Sequence, residues 1–119
     1  MIHEEKKVAK IIEELTMFFF SLGADEIETK IKREGKVDYI WFSSNYVPEY
    51  KDELRCLEEY LKKEKNDGLE DMYWELVGSS EPGEASQLLL IGMMIDTVEI
   101  KIGDSKVEVK MSKEIKEGY

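Results

Sequence analysis

The chain has 119 residues, with 27 acidic against 17 basic side chains and a net charge of −10. This length suits a single domain over 1–119 with one hydrophobic core, and we expect a frayed tail over 112–119. A composition of 42% hydrophobic and 37% charged residues excludes a disordered or collagen-like chain. The acidic balance predicts no nucleic-acid partner and no anionic membrane partner, because phosphate groups are bound by clustered lysine and arginine.

Cysteine content and apolar runs bear on the compartment. Cys56 is the single cysteine, so no internal disulfide can form and we expect a reducing, cytoplasmic environment. The longest apolar run, 88–95, is too short to span a bilayer, so no membrane embedding is predicted. Glutamate and lysine dominate while Gln87 is the only glutamine, a bias typical of thermophilic proteins and also of proteins from low-GC genomes.

The first part of the chain predicts a helix followed by a hairpin. Apolar residues recur at helical spacing over 4–22, and Gly23 is a natural helix stop. Period-two alternation over 26–33, a turn over 33–36 and a second strand over 37–42 predict two antiparallel strands. With Glu34 and Gly35 at the loop tip, Tyr39 and Trp41 fall on the open face of the sheet. A loop longer by one residue reverses the two faces.

The middle of the chain is predicted to be helical. Pro48 suits a first helical turn, and an apolar face then continues to about residue 65. That face consists of Tyr50, Leu54, Leu57 and Leu61. A short helix over 69–78, a loop over 79–83 and a buried helix containing Ala85, Leu88, Leu89, Gly92 and Met93 complete this part.

The C-terminal part predicts a second hairpin with a defined register. With a two-residue loop at Asp104–Ser105, one face of the hairpin pairs apolar residues with each other and the other face pairs opposite charges. The predicted cross-strand pairs are Ile102–Val107, Ile100–Val109 and Val98–Met111 on one face, with Lys101–Glu108 and Glu99–Lys110 on the other.

Two hairpins with one charged face, separated by helices with an apolar stripe, predict the fold class. We expect an α+β chain, a two-layer α/β sandwich with a mainly antiparallel sheet of two hairpins and helices on one face. The stretch 27–31 is similar to 98–102. Duplication of a helix-hairpin unit explains this likeness, and so does the chance similarity of short amphipathic strands.

Residues suited to catalysis or metal binding are scarce. His3 is the single histidine, and Cys56 has no histidine near it in sequence. No spacing of cysteine and histidine suits a metal, so no catalytic residue, cofactor or metal is predicted. An enzyme with an unfamiliar carboxylate site stays open, since 27 acids offer many pairs. The acidic stretch 49–84 fits a docking face for a basic partner, loose binding of a divalent cation, or the solvated side of two amphipathic helices.

Tyr39 and Trp41 are the candidate interaction residues. An aromatic pair on a charged surface is typical of a contact site. The alternative is that lysine stems or the loop over 43–46 cover these rings. A protein partner or a second copy of the chain is therefore predicted at this strand.

Three segments carry a resemblance to a known family. They are Glu14-Leu15-Thr16-Met17-Phe18 on the first helix, Phe42-Ser43-Ser44-Asn45-Tyr46 at the end of the second strand, and the loop between Gly78 and Gly83. Their order resembles the histidine-kinase-like ATPase superfamily (the Bergerat fold), especially its anti-sigma-factor-like members. Compared with that family, this chain has Phe18 in place of the magnesium-binding asparagine. Residues 42–46 stand where the family has its adenine-binding Asp-x-Gly-x-Gly motif. The resemblance implies a degenerate member that no longer binds ATP in the usual way.

The sequence therefore predicts a non-catalytic protein-interaction or regulatory domain. The alternative is a small-ligand or nucleotide-binding domain that uses Glu14, Ser79, Ser80 and Gly83, because backbone amides at a helix start attract phosphate.

Overall fold

The computed structural model describes residues 4–62 and 84–115 and shows an α+β fold in two layers. The elements in chain order are α1 (Glu4–Ser21), β1 (Ile27–Glu34), β2 (Val37–Asn45), a 3-10 helix (Pro48–Glu53), α2 (Leu54–Leu61), α3 (Glu84–Met94), β3 (Thr97–Ile102) and β4 (Lys106–Glu114). The strands form one antiparallel sheet in the order β1-β2-β4-β3, with helices packed against it. The predicted fold class is confirmed. The helix expected over 69–78 and the loop over 79–83 lie outside the described residues.

The helix α1 follows the predicted apolar stripe. Its buried apolar residues are Val8, Ile11, Leu15, Phe18 and Phe19. The Phe19 ring stacks on Phe42 of β2 with 5.5 Å between ring centroids, which joins the helix layer to the sheet. After the helix, Gly23 has a φ of 81°, which favours glycine, and an added Cβ there would collide with Val47.

The hairpin of β3 and β4 has the register that the sequence predicts. All five predicted cross-strand pairs are present, from Val98–Met111 to Ile102–Val107. The amide of Gly103 donates to the carbonyl oxygen of Lys106 at 2.7 Å, which closes a loop of the two residues Asp104 and Ser105.

The hairpin of β1 and β2 has the predicted faces, but the predicted register is wrong by two residues. Ile31 pairs with Ile40 and Glu34 with Val37, so the loop is Gly35-Lys36 rather than Glu34-Gly35. Gly35 has a φ of 61° at the first central position, as a type II′ turn requires. Both registers keep Ile27, Thr29 and Ile31 on the same side, and therefore the face assignment survives the shift.

The central strands are longer than predicted. β2 continues to Asn45, and β4 continues to Glu114, where it pairs with the start of β2. Residues 112–114, which the sequence assigned to a frayed tail, are therefore part of the sheet. This pairing of β2 with β4 joins the two hairpins through the middle of the sheet.

The helix layer covers the inner side of the sheet with leucines of α2 and α3. Leu54, Leu57 and Leu61 are buried as predicted, and so is Leu88 on α3. Tyr50 was predicted on the same face, but it is 45% exposed. It lies in the 3-10 helix, which turns by about 120° per residue instead of about 100° and so carries Tyr50 off the α2 stripe.

Candidate functional site

The side of the sheet opposite the helices, here called the open face, carries most of the charged side chains of the strands. By the register, side chains on this face come from alternate positions of all four strands. The charged ones are Glu28, Lys30, Lys32 and Glu34 of β1, Glu99 and Lys101 of β3, and Lys106, Glu108, Lys110 and Glu114 of β4.

The charges of the open face cancel. Within the strands, five glutamates and five lysines share this face, and all ten are exposed. The whole chain has a net charge of −10, so the net charge is carried entirely by the rest of the protein. A protein surface that approaches the open face therefore meets local charges of both signs without net repulsion.

Two half-buried aromatic residues lie on β2 at the centre of this charged surface. The rings of Tyr39 and Trp41 have centroids 6.2 Å apart at an angle of 30°. The Nζ of Lys30, directly opposite on β1, lies 5.3 Å from the centroid of the Trp41 ring. At an exposed site such a cation–π contact is worth about 0.5–1 kcal/mol. The Lys30 contact does not cover the whole indole, because Trp41 is still partly exposed.

A shallow depression runs from Trp41 towards β4. It encloses about 310 Å³, and its lining includes Glu28, Lys30, Trp41, Glu108 and Lys110. Its lining combines the Trp41 indole with charged residues of both signs on β1 and β4. An aromatic side chain among charges of both signs is an arrangement found at protein-interaction surfaces.

A second concave surface lies on the helix side, between α1 and β1. This groove encloses about 650 Å³, and its apolar lining is Val8, Ala9, Ile12 and Ile31. Ile31 is 49% exposed even though it lies on the inner side of the sheet. The helix layer therefore leaves the inner side of β1 partly uncovered.

Charged residues close the end of this groove through paired contacts. Arg33 donates from Nε and Nη2 to the two carboxylate oxygens of Asp38, at 2.6 and 2.9 Å. Asp38 is buried, while Arg33 is 45% exposed. The hydrogen bonds to Asp38 raise the pKa of the Arg33 guanidinium, so it stays charged.

A second ion pair joins the first turn of α1 to the C-terminal end of β4. Lys113, opposite Asp38 in the register, donates to Glu4, and both residues are buried. Burial acts to raise the pKa of the Glu4 carboxyl, but hydrogen bonds from Lys113 and Lys7 outweigh it and hold this pKa below its ordinary value. Within the described residues, no buried side-chain nitrogen or oxygen lacks a hydrogen-bond partner. These charges therefore stabilise the fold and do not form an unsatisfied site.

The residues predicted for a ligand are only partly described. Glu14 lies on α1 and forms an ion pair with Lys10 at 2.9 Å, and hydrogen bonding to Glu14 raises the pKa of Lys10. Phe18, four residues on, is buried in the core. Ser79, Ser80 and Gly83 lie outside the described residues, as does His3, so nucleotide binding through these positions stays a prediction. Among the described residues, no group of three or more His, Cys, Asp or Glu could hold a metal ion.

Asn45 is a structural residue that the sequence analysis did not single out. Its Oδ1 accepts the amides of Asp25 and Glu26 at 3.0 and 3.1 Å, and its Nδ2 donates to a carboxylate oxygen of Asp25 at 2.5 Å. The neighbouring Tyr46 donates its hydroxyl to the carbonyl oxygen of Gly103 at 2.6 Å. These hydrogen bonds fix the start of β1 and the β3–β4 loop. Asn45 and Tyr46, at the end of the segment 42–46, therefore have structural roles.

No known family model, no curated protein and no solved structure matches this chain. None of the helices in 4–62 and 84–115 has both the length and the apolar character of a membrane span.

Proposed function

We propose that this chain is a non-catalytic protein-interaction or regulatory module, and that its partner protein docks on the open face around Tyr39 and Trp41. The observation that carries this proposal is the half-exposed aromatic pair at the centre of a surface with no net charge. Aromatic residues with a polar surround are enriched at protein interfaces, because they remove much apolar area from water at little cost in rotamer entropy.

The charge pattern also favours a protein over other ligands. The two lysines that pair with Trp41 in the sheet each have a glutamate nearby. Lys110 is opposite Glu99, and Lys30 is two residues from Glu28. A nucleic-acid phosphate bound there would lie close to carboxylates, which costs affinity. A protein surface with an apolar centre and charges of both signs around it fits this pattern best.

The buried charges support a module without a catalytic role. Glu4 is paired with Lys113, and Asp38 with Arg33, so each of these buried carboxylates already has a structural partner. A general acid or base needs a proton that it can exchange with a substrate, and these groups are committed to each other.

Photo-crosslinking in the native host tests the proposal. A photoreactive amino acid replaces Lys110, which lines the Trp41 depression, and in a second strain it replaces Lys62, beyond the end of α2. We expect a defined protein to be captured from position 110 and not from position 62. Introducing Tyr39→Ser and Trp41→Ser together should abolish this capture.

The matched control is Tyr50→Ser, which removes an exposed tyrosine from the 3-10 helix, away from the open face. Circular dichroism must show that each variant is folded. The proposal is wrong if the captured protein persists in the Tyr39→Ser, Trp41→Ser double variant, or if Tyr50→Ser abolishes it equally.

A further inference from the structure

β1 is an edge strand whose outer side has no partner within the described residues. It is the terminal strand of the sheet, and seven of its eight residues are exposed. It contains no proline and pairs with β2 residue for residue, without a bulge. Of the features that blunt an edge strand, β1 therefore has only its charged side chains, and these allow pairing where the second strand places opposite charges against them.

The backbone groups of β1 alternate between β2 and the free edge. The amide of Asn45 donates to the carbonyl oxygen of Glu26 at 3.2 Å, just before β1 begins. Hydrogen-bonded and non-hydrogen-bonded positions alternate along an antiparallel ladder. The positions between those bonded to β2 therefore direct their N–H and C=O groups away from the sheet. These are Ile27, Thr29, Ile31 and Arg33.

The sequence of this edge is complementary to itself, and we propose that β1 pairs antiparallel with β1 of a second copy about a two-fold axis at Thr29. On the open face, Glu28 then lies opposite Lys30 of the second copy, and Glu26, just before β1 begins, lies opposite Lys32. On the helix side, Ile27 lies opposite Ile31. By symmetry each of these pairs forms twice. Each one joins opposite charges or two apolar side chains, which are the favourable cross-strand combinations.

Neighbouring registers are excluded by charge. An axis at Lys30 places this lysine opposite itself, and an axis at Glu28 does the same for the glutamate. An axis at Ile31 places Lys30 opposite Lys32. Like charges directly opposite each other are destabilising. The charge pattern therefore selects Thr29 among these registers, and the symmetry of the pairing gives a closed dimer.

The groove between α1 and β1 adds an apolar contribution to the same pairing. Ile31 is 49% exposed beside Val8 and Ile12, and the proposed register brings Ile27 of the second copy onto it. Covering this surface removes apolar area from water. The other edge strand, β3, also alternates Glu99 and Lys101. It is shorter, at six residues, and its apolar side chains are already half-buried, so it has less to gain.

Charge reversal on the edge tests both the dimer and its register. The mass by sedimentation equilibrium should be twice the 13.9 kDa of one chain. Glu28→Lys alone and Lys30→Glu alone each create two like-charge pairs, and each should weaken dimerisation about tenfold or more. Mixing these two single variants should restore a dimer, because every reversed charge then meets its opposite. The double variant Glu28→Lys, Lys30→Glu should also dimerise.

A cysteine at the axis provides a second test that leaves the open face intact. In a Cys56→Ser chain, Thr29→Cys should form an intermolecular disulfide on mild oxidation, because residues of a hydrogen-bonded pair have Cα atoms about 5.5 Å apart. Thr97→Cys on β3 is the matched control and should stay reduced. The proposal is wrong if sedimentation equilibrium shows the wild-type chain to be monomeric at every concentration tested. It is also wrong if Thr97→Cys forms the intermolecular disulfide and Thr29→Cys does not. The dimer does not depend on partner docking at Tyr39 and Trp41, because sedimentation and disulfide formation are measured on the purified chain without a partner protein.

Discussion

Replacing Gly92 with alanine tests how closely α2 and α3 pack. A Cβ added at Gly92 lies closer than 3.0 Å to the carbonyl oxygen of Tyr60 and 3.5 Å from the Cα of Leu61. Both are backbone atoms of α2, so no side-chain rotation can relieve the contact. The two helices must move apart, and the buried leucines between them lose part of their packing.

Two opposing effects set the size of the change. Alanine is favoured over glycine in a helix by about 0.8–1.0 kcal/mol. Inserting a methyl group into a close-packed contact costs about 1–3 kcal/mol, and the backbone position of Tyr60 favours the upper part of this range. We therefore expect the free energy of unfolding to fall by about 1–2 kcal/mol. For a chain of this size the melting temperature then falls by about 3–8 °C.

Urea unfolding followed by circular dichroism at pH 7 measures this change. Ala9→Gly, at an exposed position of α1, gives the helix preference alone in the same protein, and should cost about 1 kcal/mol. Gly92→Ser should destabilise more than Gly92→Ala because its side chain is larger. A Gly92→Ala variant as stable as the wild type, or more stable, would refute the close crossing of α2 and α3.

Two further predictions concern the core and the buried ion pair. Phe19→Ala removes a fully buried ring from its stack on Phe42 and should cost about 3–5 kcal/mol in urea unfolding, whereas Phe20→Ala at the neighbouring position, 55% exposed, should cost less than about 1 kcal/mol; equal costs would contradict the orientation of α1. Lys113→Met leaves the Glu4 carboxylate buried without its main partner and should cost about 1–3 kcal/mol at pH 7. The lowered pKa of Glu4 stabilises the wild type above the ordinary glutamate pKa, and this stability is lost as the pH falls through the folded-state pKa. The difference between Lys113→Met and wild type should therefore shrink as the pH falls below 4.5, the ordinary glutamate pKa, and a constant difference over that range would show that the pair does not act through Glu4.

The two hairpins show what a sequence pattern can and cannot determine. In β3 and β4 the apolar and charged positions agree on one register, and the structure has that register. In β1 and β2 the alternation fixes only which face each side chain takes. A shift by two residues leaves all faces unchanged, so the turn decides. The preference of a type II′ turn for glycine at its first central position selects Gly35-Lys36.

Features that join distant parts of the chain were beyond the sequence analysis. Ser112 and Lys113 follow the last apolar residue of the hairpin and were assigned to a frayed tail. In the structure they extend the sheet because β4 pairs with β2, and Lys113 reaches Glu4 at the other end of the described chain. The groove beside Ile31 has the same origin, since it depends on how far α1 lies from β1. The local spacing of apolar residues gives no information on which distant strands pair, or on how far α1 lies from β1.

The pairing in the sheet also bears on duplication. The order β1-β2-β4-β3 is unchanged when the two hairpins are exchanged. If the turns are superposed, so that Glu34 corresponds to Gly103, then Ile31 corresponds to Ile100 and not to Ile102. The likeness of 27–31 to 98–102 is thus displaced by two residues from the structural equivalence. A displacement of this kind favours chance similarity between alternating strands over descent from a common unit.

The same superposition shows that the open face differs between its two halves. The positions of Tyr39 and Trp41 correspond to Glu108 and Lys110 of β4, so the aromatic rings lie only on the β2 half. Pairing at β1 separates the β2 strands of two copies by three strand spacings, about 14 Å. Pairing at β3 would separate them by five spacings, about 24 Å. A dimer formed through β1 therefore brings the two aromatic surfaces close together on one continuous sheet, where a single partner protein can contact both.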